Sequence, residues 1–242
     1  MRTFFLFAIV SVLCYSCQRN HSAQMIVNGT IKELKRGKVY LQKWNDSVLV
    51  AIDSAVIEGN PEFKFQYQLA EPEVFYVSLN IKNPSDLDDE IYFFGEPGLI
   101  TIHTHLDGFG SKAVISGSVN DSLWRVYNKI KQRYVARNLE LIEKRLSTNL
   151  DNNDSLRNAF ERQEQSLINS KHMATVNFAL RHSDYEIAPF IVLDEAYNVR
   201  SKYLDTVYQS LSPKIQTSKY GIVLEQLVEA RKEMENELSV LE

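Results

Sequence analysis

The hydrophobic period of this chain changes once, near Gly117, from about two residues to nearly four, and the change limits what each half can become. Before Gly117, short apolar alternations recur: Val27 with Ile31, Val39 with Leu41, Val48 through Val56, Phe63 to Tyr67, Phe75 to Leu79, and Ile100 with Ile102. A strand sends successive side chains to opposite faces, so each alternation predicts a half-buried strand. Turn residues separate them at Arg36-Gly37, Gly59-Asn60-Pro61, Glu71-Pro72, Asn83-Pro84-Ser85, Glu96-Pro97-Gly98 and Asp107-Gly108. Many short strands so punctuated predict an antiparallel β-sandwich or open barrel.

Beyond Gly117 the pattern is helical. Ser118-x-x-Asp121 has the spacing of a capping box, and Leu123, Tyr127, Ile130 and Tyr134 then share one face. A second run carries Leu156, Phe160, Leu167, Ala174 and Phe178, separated from the first by the polar turn Asp151-Asn152-Asn153. Shorter helices are predicted from Pro189, from about Tyr203 to Leu211, and from Ser218 to Leu241; the Glu-rich end of the last suits a solvated or partner-seeking helix. The fold class expected is therefore α+β, with a β-rich domain over 25–117 and a helical region over 118–242 packed on it.

The first residues place the protein in a cell envelope. Residues 1–16 carry Arg2, an apolar run from Phe4 to Cys14 and a small residue, Ser16, before Cys17. That run is shorter than the ~18–20 residues needed to cross a bilayer, so it is expected to be a lipoprotein signal peptide, with 17–24 as a tether. Cys17 is the expected lipid attachment site, carrying acyl chains such as palmitate, and the bilayer is the first expected partner. Gln18 after Cys17, where an acidic residue would favour retention, points to the outer membrane facing the periplasm.

Only two cysteines occur, Cys14 and Cys17, so the expected mature chain has no disulfide and no Cys-x-x-Cys pair, and packing must hold it together. The formal charge of −4 becomes −5 once Arg2, the sole charge in 1–16, is removed. Acids and bases are interspersed, the lysines between Lys32 and Lys43 fit a solvated turn, and no nucleic-acid partner is expected.

The order of these segments resembles the β-rich N-terminal domain and helical connector of exported TlpA-like thiol-disulfide oxidoreductases. The likeness rests on Asn28-Gly29-Thr30-Ile31, Lys38-Val39-Tyr40-Leu41, Asp53-Ser54-Ala55, Phe63-Lys64-Phe65, Tyr76-Val77 after Pro72, Glu96-Pro97-Gly98 leading into Ile100-Thr101-Ile102, Ile115-Ser116-Gly117-Ser118, Leu211-Ser212-Pro213 and Ser218-Lys219-Tyr220-Gly221. In that family a thioredoxin domain with a Trp-Cys-x-x-Cys site follows; here the sequence reaches Glu242 without one, so the family's redox role is carried by no residue of this chain.

His103-Thr104-His105-Leu106-Asp107-Gly108 is the sharpest catalytic pattern. It resembles the His-x-His-x-Asp-His segment of metallo-β-lactamase-like hydrolases, with Gly108 in place of the last histidine. The alternative function is thus a metal-dependent hydrolase using His103, His105 and Asp107. The plainer expectation puts Thr101, His103 and His105 on the solvent face of a strand whose inner face is Ile100 and Ile102. Asp86, Asp88, Asp89 and Glu90 are expected to form a solvated loop, since the spacing of calcium ligands is missing. Phosphate loops and Gly-x-Ser-x-Gly elbows do not occur, and no cofactor is expected. Asp-Ser/Thr-aliphatic triplets recur at Asp46, Asp53, Asp121, Asp154 and Asp205 and resemble an acceptor motif for bacterial O-glycosylation. Trp44 is a candidate contact residue. The expectation from sequence is a non-catalytic binding or scaffolding module, anchored by lipid, with a protein or envelope component as its partner.

Overall fold

A computed structural model describes residues 23–79, 90–148 and 153–241. Among the described residues eight strands, β1 (Ala23–Lys32), β2 (Arg36–Asn45), β3 (Val48–Glu58), β4 (Glu62–Leu69), β5 (Glu73–Leu79), β6 (Glu90–Gly95), β7 (Gly98–His105) and β8 (Val114–Ser116), precede six helices. These are α1 (Val119–Ser147), α2 (Asp154–Arg181), α3 (Ile187–Glu195), α4 (Ser201–Ser210), the single turn α5 (Pro213–Gln216) and α6 (Lys219–Leu241). The chain is α+β, and the strands form a sandwich of two sheets ordered β4-β1-β7-β8 and β3-β2-β5-β6. All described pairings are antiparallel except β1 with β7, a parallel pair that the expectation of an antiparallel sandwich did not include.

The alternation in β1 works as its sequence implies. Met25, Val27, Gly29 and Ile31 face inward, and Gln24, Asn28 and Lys32 face water. Gly29 lies opposite Phe63 in the register, and the Phe63 ring fills the space that a side chain at Gly29 would need, coming within 1.9 Å of an ideal Cβ. In β3 the alternation breaks. A register shift at Leu41/Gln42 introduces a bulge, so Ile57 is buried and Val56, expected inside, is exposed. The turn before β2 lies at 33–35, with Glu33 at positive φ, two residues ahead of the expected Arg36-Gly37.

Two strands lack the signal from which the others were recognised. β8 has three residues. β6, with sequence EIYFFG, does not alternate because Phe93 packs in the sandwich core while its neighbour Phe94 packs in the helical core. A strand buried on both faces reads as a continuous apolar run. Glu90, expected in an acidic loop, is the first residue of β6, and the loop's Asp86, Asp88 and Asp89 lie outside the described residues.

The passage from sheet to helix is made at Gly117, whose φ of 96° favours glycine and whose ideal Cβ would lie 2.0 Å from the Leu99 carbonyl oxygen. Ser118 caps α1 by accepting from the Asp121 amide at 2.9 Å. The carboxylate of the expected capping box acts elsewhere: Asp121 accepts from the Phe94 amide of β6 at 3.3 Å and pairs with Arg125 at 2.7 Å. Glu96 supplies the missing cap by accepting from the amides of Val119 and Asn120 at 2.9 and 2.6 Å.

Sheet and helices exchange such bonds throughout their contact. Tyr220 of α6 accepts from the Val74 amide at 3.2 Å, and Glu71 accepts from the Lys219 amide at 2.7 Å. Glu73 binds Lys43 at 2.6 Å and Lys219 at 2.7 Å. The Glu-rich end of α6 is largely exposed, yet Glu235 accepts from both the amide and the hydroxyl of Ser201 and so caps α4. Helix α3 begins at Ile187, two residues before Pro189, with Asn120 accepting from the Ile187 amide at 2.8 Å. Among the described residues no helix is long and apolar enough to cross a membrane.

Candidate functional site

The face of sheet β3-β2-β5-β6 turned away from the sandwich core meets two environments. Near β6 it is covered by helices: Phe94 lies 5.6 Å from the Phe190 ring, 5.9 Å from Tyr220 and 6.3 Å from Trp124, all in edge-on contacts. Such contacts add to the gain from burial. Towards β2 the cover ends and aromatic rings continue without it. Trp124 contacts Tyr92 at 5.0 Å, Tyr92 faces Tyr76 across the β5–β6 register, and Tyr76 meets Trp44 edge-on at 6.5 Å.

These four residues form a ladder of rings from a half-buried helix position to an exposed strand end. Trp44 is 48% exposed and Tyr92 49%, while Tyr76 and Trp124 are half-buried. Strand alternation places Tyr76 and Tyr92 on the same outer face, and helix α1 brings Trp124 up beside them. Burial raises the pKa of the Tyr76 phenol, and the nearby carboxylates of Glu90 and Asp194 reinforce the shift. The phenol is therefore neutral at ordinary pH and can donate a hydrogen bond. Asp194 itself is raised, first by burial and then by its neighbour Glu195. Glu195 is lowered: burial opposes its charge, but Lys131 and Lys171 both pair with it and prevail. An aromatic strip bordered by hydrogen-bonding groups offers contact area at low entropic cost.

The histidine segment lies on the other sheet. His103 and His105 stand on the outer face of β7 as alternation predicts, with Ile100 and Ile102 buried beneath and Thr104 donating to the Phe109 carbonyl at 2.7 Å. Asp107 is turned to Lys112 at 2.7 Å, and this hydrogen bond lowers its pKa. Among the described residues no three of His, Cys, Asp and Glu are placed to hold a metal, so His103, His105 and Asp107 do not converge. His103 instead joins Asn28, Thr30, Glu62, Lys64 and Thr101 along a shallow polar groove of about 440 Å³. Cys17 lies outside the described residues.

The Asp-Ser/Thr triplets differ in setting. Ser54, Ser122 and Thr206 are all exposed, but the Ser122 and Thr206 hydroxyls donate to the Ser118 and Lys202 carbonyls at 2.8 and 2.6 Å, while Ser54 donates its amide to Asp53. Of the ladder, only Trp44 was singled out from sequence. The outward parity of Tyr76 was legible, but Tyr92 sits on the strand that alternation could not show, and Trp124 lies in a helix whose apolar stripe drew attention to its core residues.

The architecture defines a β-sandwich with a helical annex sharing one sheet face. Residues 25–124 match the model of a family described as a domain of unknown function, DUF4369, which spans the sandwich and the first turn of α1. No curated protein and no solved structure matches the chain. The family match carries no link to thioredoxin-like proteins.

Proposed function

We propose that this is an exported, lipid-anchored binding module that holds a protein or envelope component against the Trp44-Tyr76-Tyr92-Trp124 ladder. The single observation behind this reading is the uncovered half of the aromatic face, where two large rings stand half in solvent beside the part of the sheet that helices cover. Exposed aromatic strips of this kind are characteristic of contact surfaces. The likeness to the non-redox part of TlpA-like lipoproteins supports a role beside, not within, redox chemistry.

The chain's only two tryptophans, Trp44 and Trp124, both stand in the ladder, so intrinsic emission reports on it directly. Titrating the protein with peptidoglycan fragments, surface polysaccharide and mixed periplasmic peptides should give a saturable emission change with at least one of them. That change should be lost in Trp44→Ala. If none of the three moves the emission, the reading fails. For the anchor, intact-mass measurement on membrane-extracted protein should show loss of residues 1–16 and acyl chains on Cys17; a water-soluble product with an unmodified thiol would remove the membrane from the proposal.

A further inference from the structure

Among the described residues β6 is the outermost strand of its sheet, its edge borders the ladder, and its backbone has a determinable direction. In an antiparallel pair, residues alternate between those that bond across the pair and those whose amide and carbonyl point away from it. In the pair Val74/Phe94 neither amide bonds across: Val74 donates to Tyr220 and Phe94 donates to Asp121. Two residues back, Tyr92 has the same parity, so its N–H and C=O also point off the open edge of the sheet, and those of Glu90 do so in turn. Among the described residues, helix α1 closes the edge at Phe94, through Asp121.

Beyond that cap the edge borders a slot of about 250 Å³ lined by Glu90, Tyr92, Gly110, Ser111, Ala113 and Arg125. The other edge strands are β3 and β4, which meet near the tight turn at 59–61, and β8, which spans three residues. An outward row of backbone donors and acceptors next to an aromatic step is the arrangement that accepts an added strand.

The geometry points to the β6 edge at Glu90–Tyr92 as a docking site for an extended polypeptide segment, which pairs its backbone with Tyr92. Backbone complementarity selects this occupant, because a row of alternating N–H and C=O groups is matched by another strand. Such a segment places every second side chain on the outer face against Tyr92 and Trp124 and the intervening ones over the slot beside Arg125. An alternating sequence with apolar residues at one parity is the class of ligand that fits. This deepens the binding-module reading and rests on it.

The test uses the full protein purified from membranes and a displayed library of random linear peptides, about twelve residues long, enough to cover a strand. Selected peptides are resynthesised with single N-methyl groups at successive amides. Methylation should weaken binding about tenfold at alternate positions and little between them, the result expected when a backbone hydrogen bond is lost. Tyr92→Pro removes the outward N–H and leaves the β5-facing bonds of Ile91 and Phe93, which an edge strand tolerates. It should weaken binding about tenfold beyond Tyr92→Ala, which removes only the ring. Should Tyr92→Pro fail to fold, the methylation series on the unaltered protein decides alone. Equal losses in both variants with no alternation would overturn strand pairing while leaving the ladder as a binding surface. Failure to enrich any peptide over the bare support would also overturn it, and the tryptophan titration then shows separately whether the module reading survives.

Discussion

The outer faces of the two sheets contain the same kind of alternating strand but end in different chemistry. On β4-β1-β7-β8 the outward residues are polar, including Asn28, Thr30, Lys64 and His103, and they lie open to water. On β3-β2-β5-β6 they include Trp44, Tyr76, Tyr92 and Phe94, and helices have taken one part of them as a core. A histidine pair is conspicuous in a sequence, yet here it stands on the open polar face. The aromatic face is less conspicuous because its parts come from β2, β5, β6 and α1 and meet only after folding.

The largest effect should come from cutting the link between sheet and helices. Phe94→Ala removes a fully buried ring shared by Trp124, Phe190 and Tyr220, and should cost about 3–5 kcal/mol in a denaturant melt. A loss below about 1 kcal/mol would mean that the annex can repack without its anchor, and the contrast between the two faces would weaken.

The same residue shows where sequence reasoning stopped. Strands with one wet face, such as β1 and β7, were legible to the residue, including the outward parity of His103 and His105. Strand β6 was not, because two adjacent phenylalanines serve two cores and erase the period. Val56 was misplaced for a related reason: one extra residue at the bulge inverts every later side chain on β3. The helix start at Ser118 was legible as a local motif, but Asp121 serves the sheet and the sheet's Glu96 serves the helix. Those assignments are tertiary, and no local spacing contains them.

A smaller effect should appear at the far side of the aromatic seam. Glu195, held by Lys131 and Lys171, should cost about 2 kcal/mol near neutral pH when replaced in Glu195→Gln. Its folded pKa is depressed below the ordinary 4.5, so its contribution is fully present above that value and is lost as pH falls through the lower folded one. Asp121 and Asp194, whose pKa values are raised above the ordinary 3.8, act in the opposite sense, their cost arising as pH climbs from that value through the folded one. Subtracting the Glu195→Gln stability curve from that of the unaltered protein cancels Asp121 and leaves Glu195 together with the part of the Asp194 shift that Glu195 causes. The difference should shrink on acidification; a difference that stays constant from neutral pH into the acid range would show that the pair adds no charge-dependent stability.

The smallest effect is expected on the polar face. Strand β7 is held by Ile100, Ile102 and Thr104 on its inner side, whereas the two imidazoles project outward and make no contact that closes the core. A His103→Ala, His105→Ala double variant should therefore melt within about 0.5 kcal/mol of the unaltered protein per site. Zinc separates this expectation from the hydrolase alternative. A catalytic zinc takes three protein ligands and keeps an open position, and here the third candidate ligand of the segment, Asp107, is engaged by Lys112. Two outward histidines on one strand give at most a weak bidentate grip, so zinc should raise the melting temperature slightly or not at all, and the double variant should remove whatever rise there is. Ester, lactam and phosphodiester substrates should be left intact by both proteins. Zinc-dependent turnover that disappears in the double variant would reverse the comparison, making the polar face the working one and the aromatic face a structural seam.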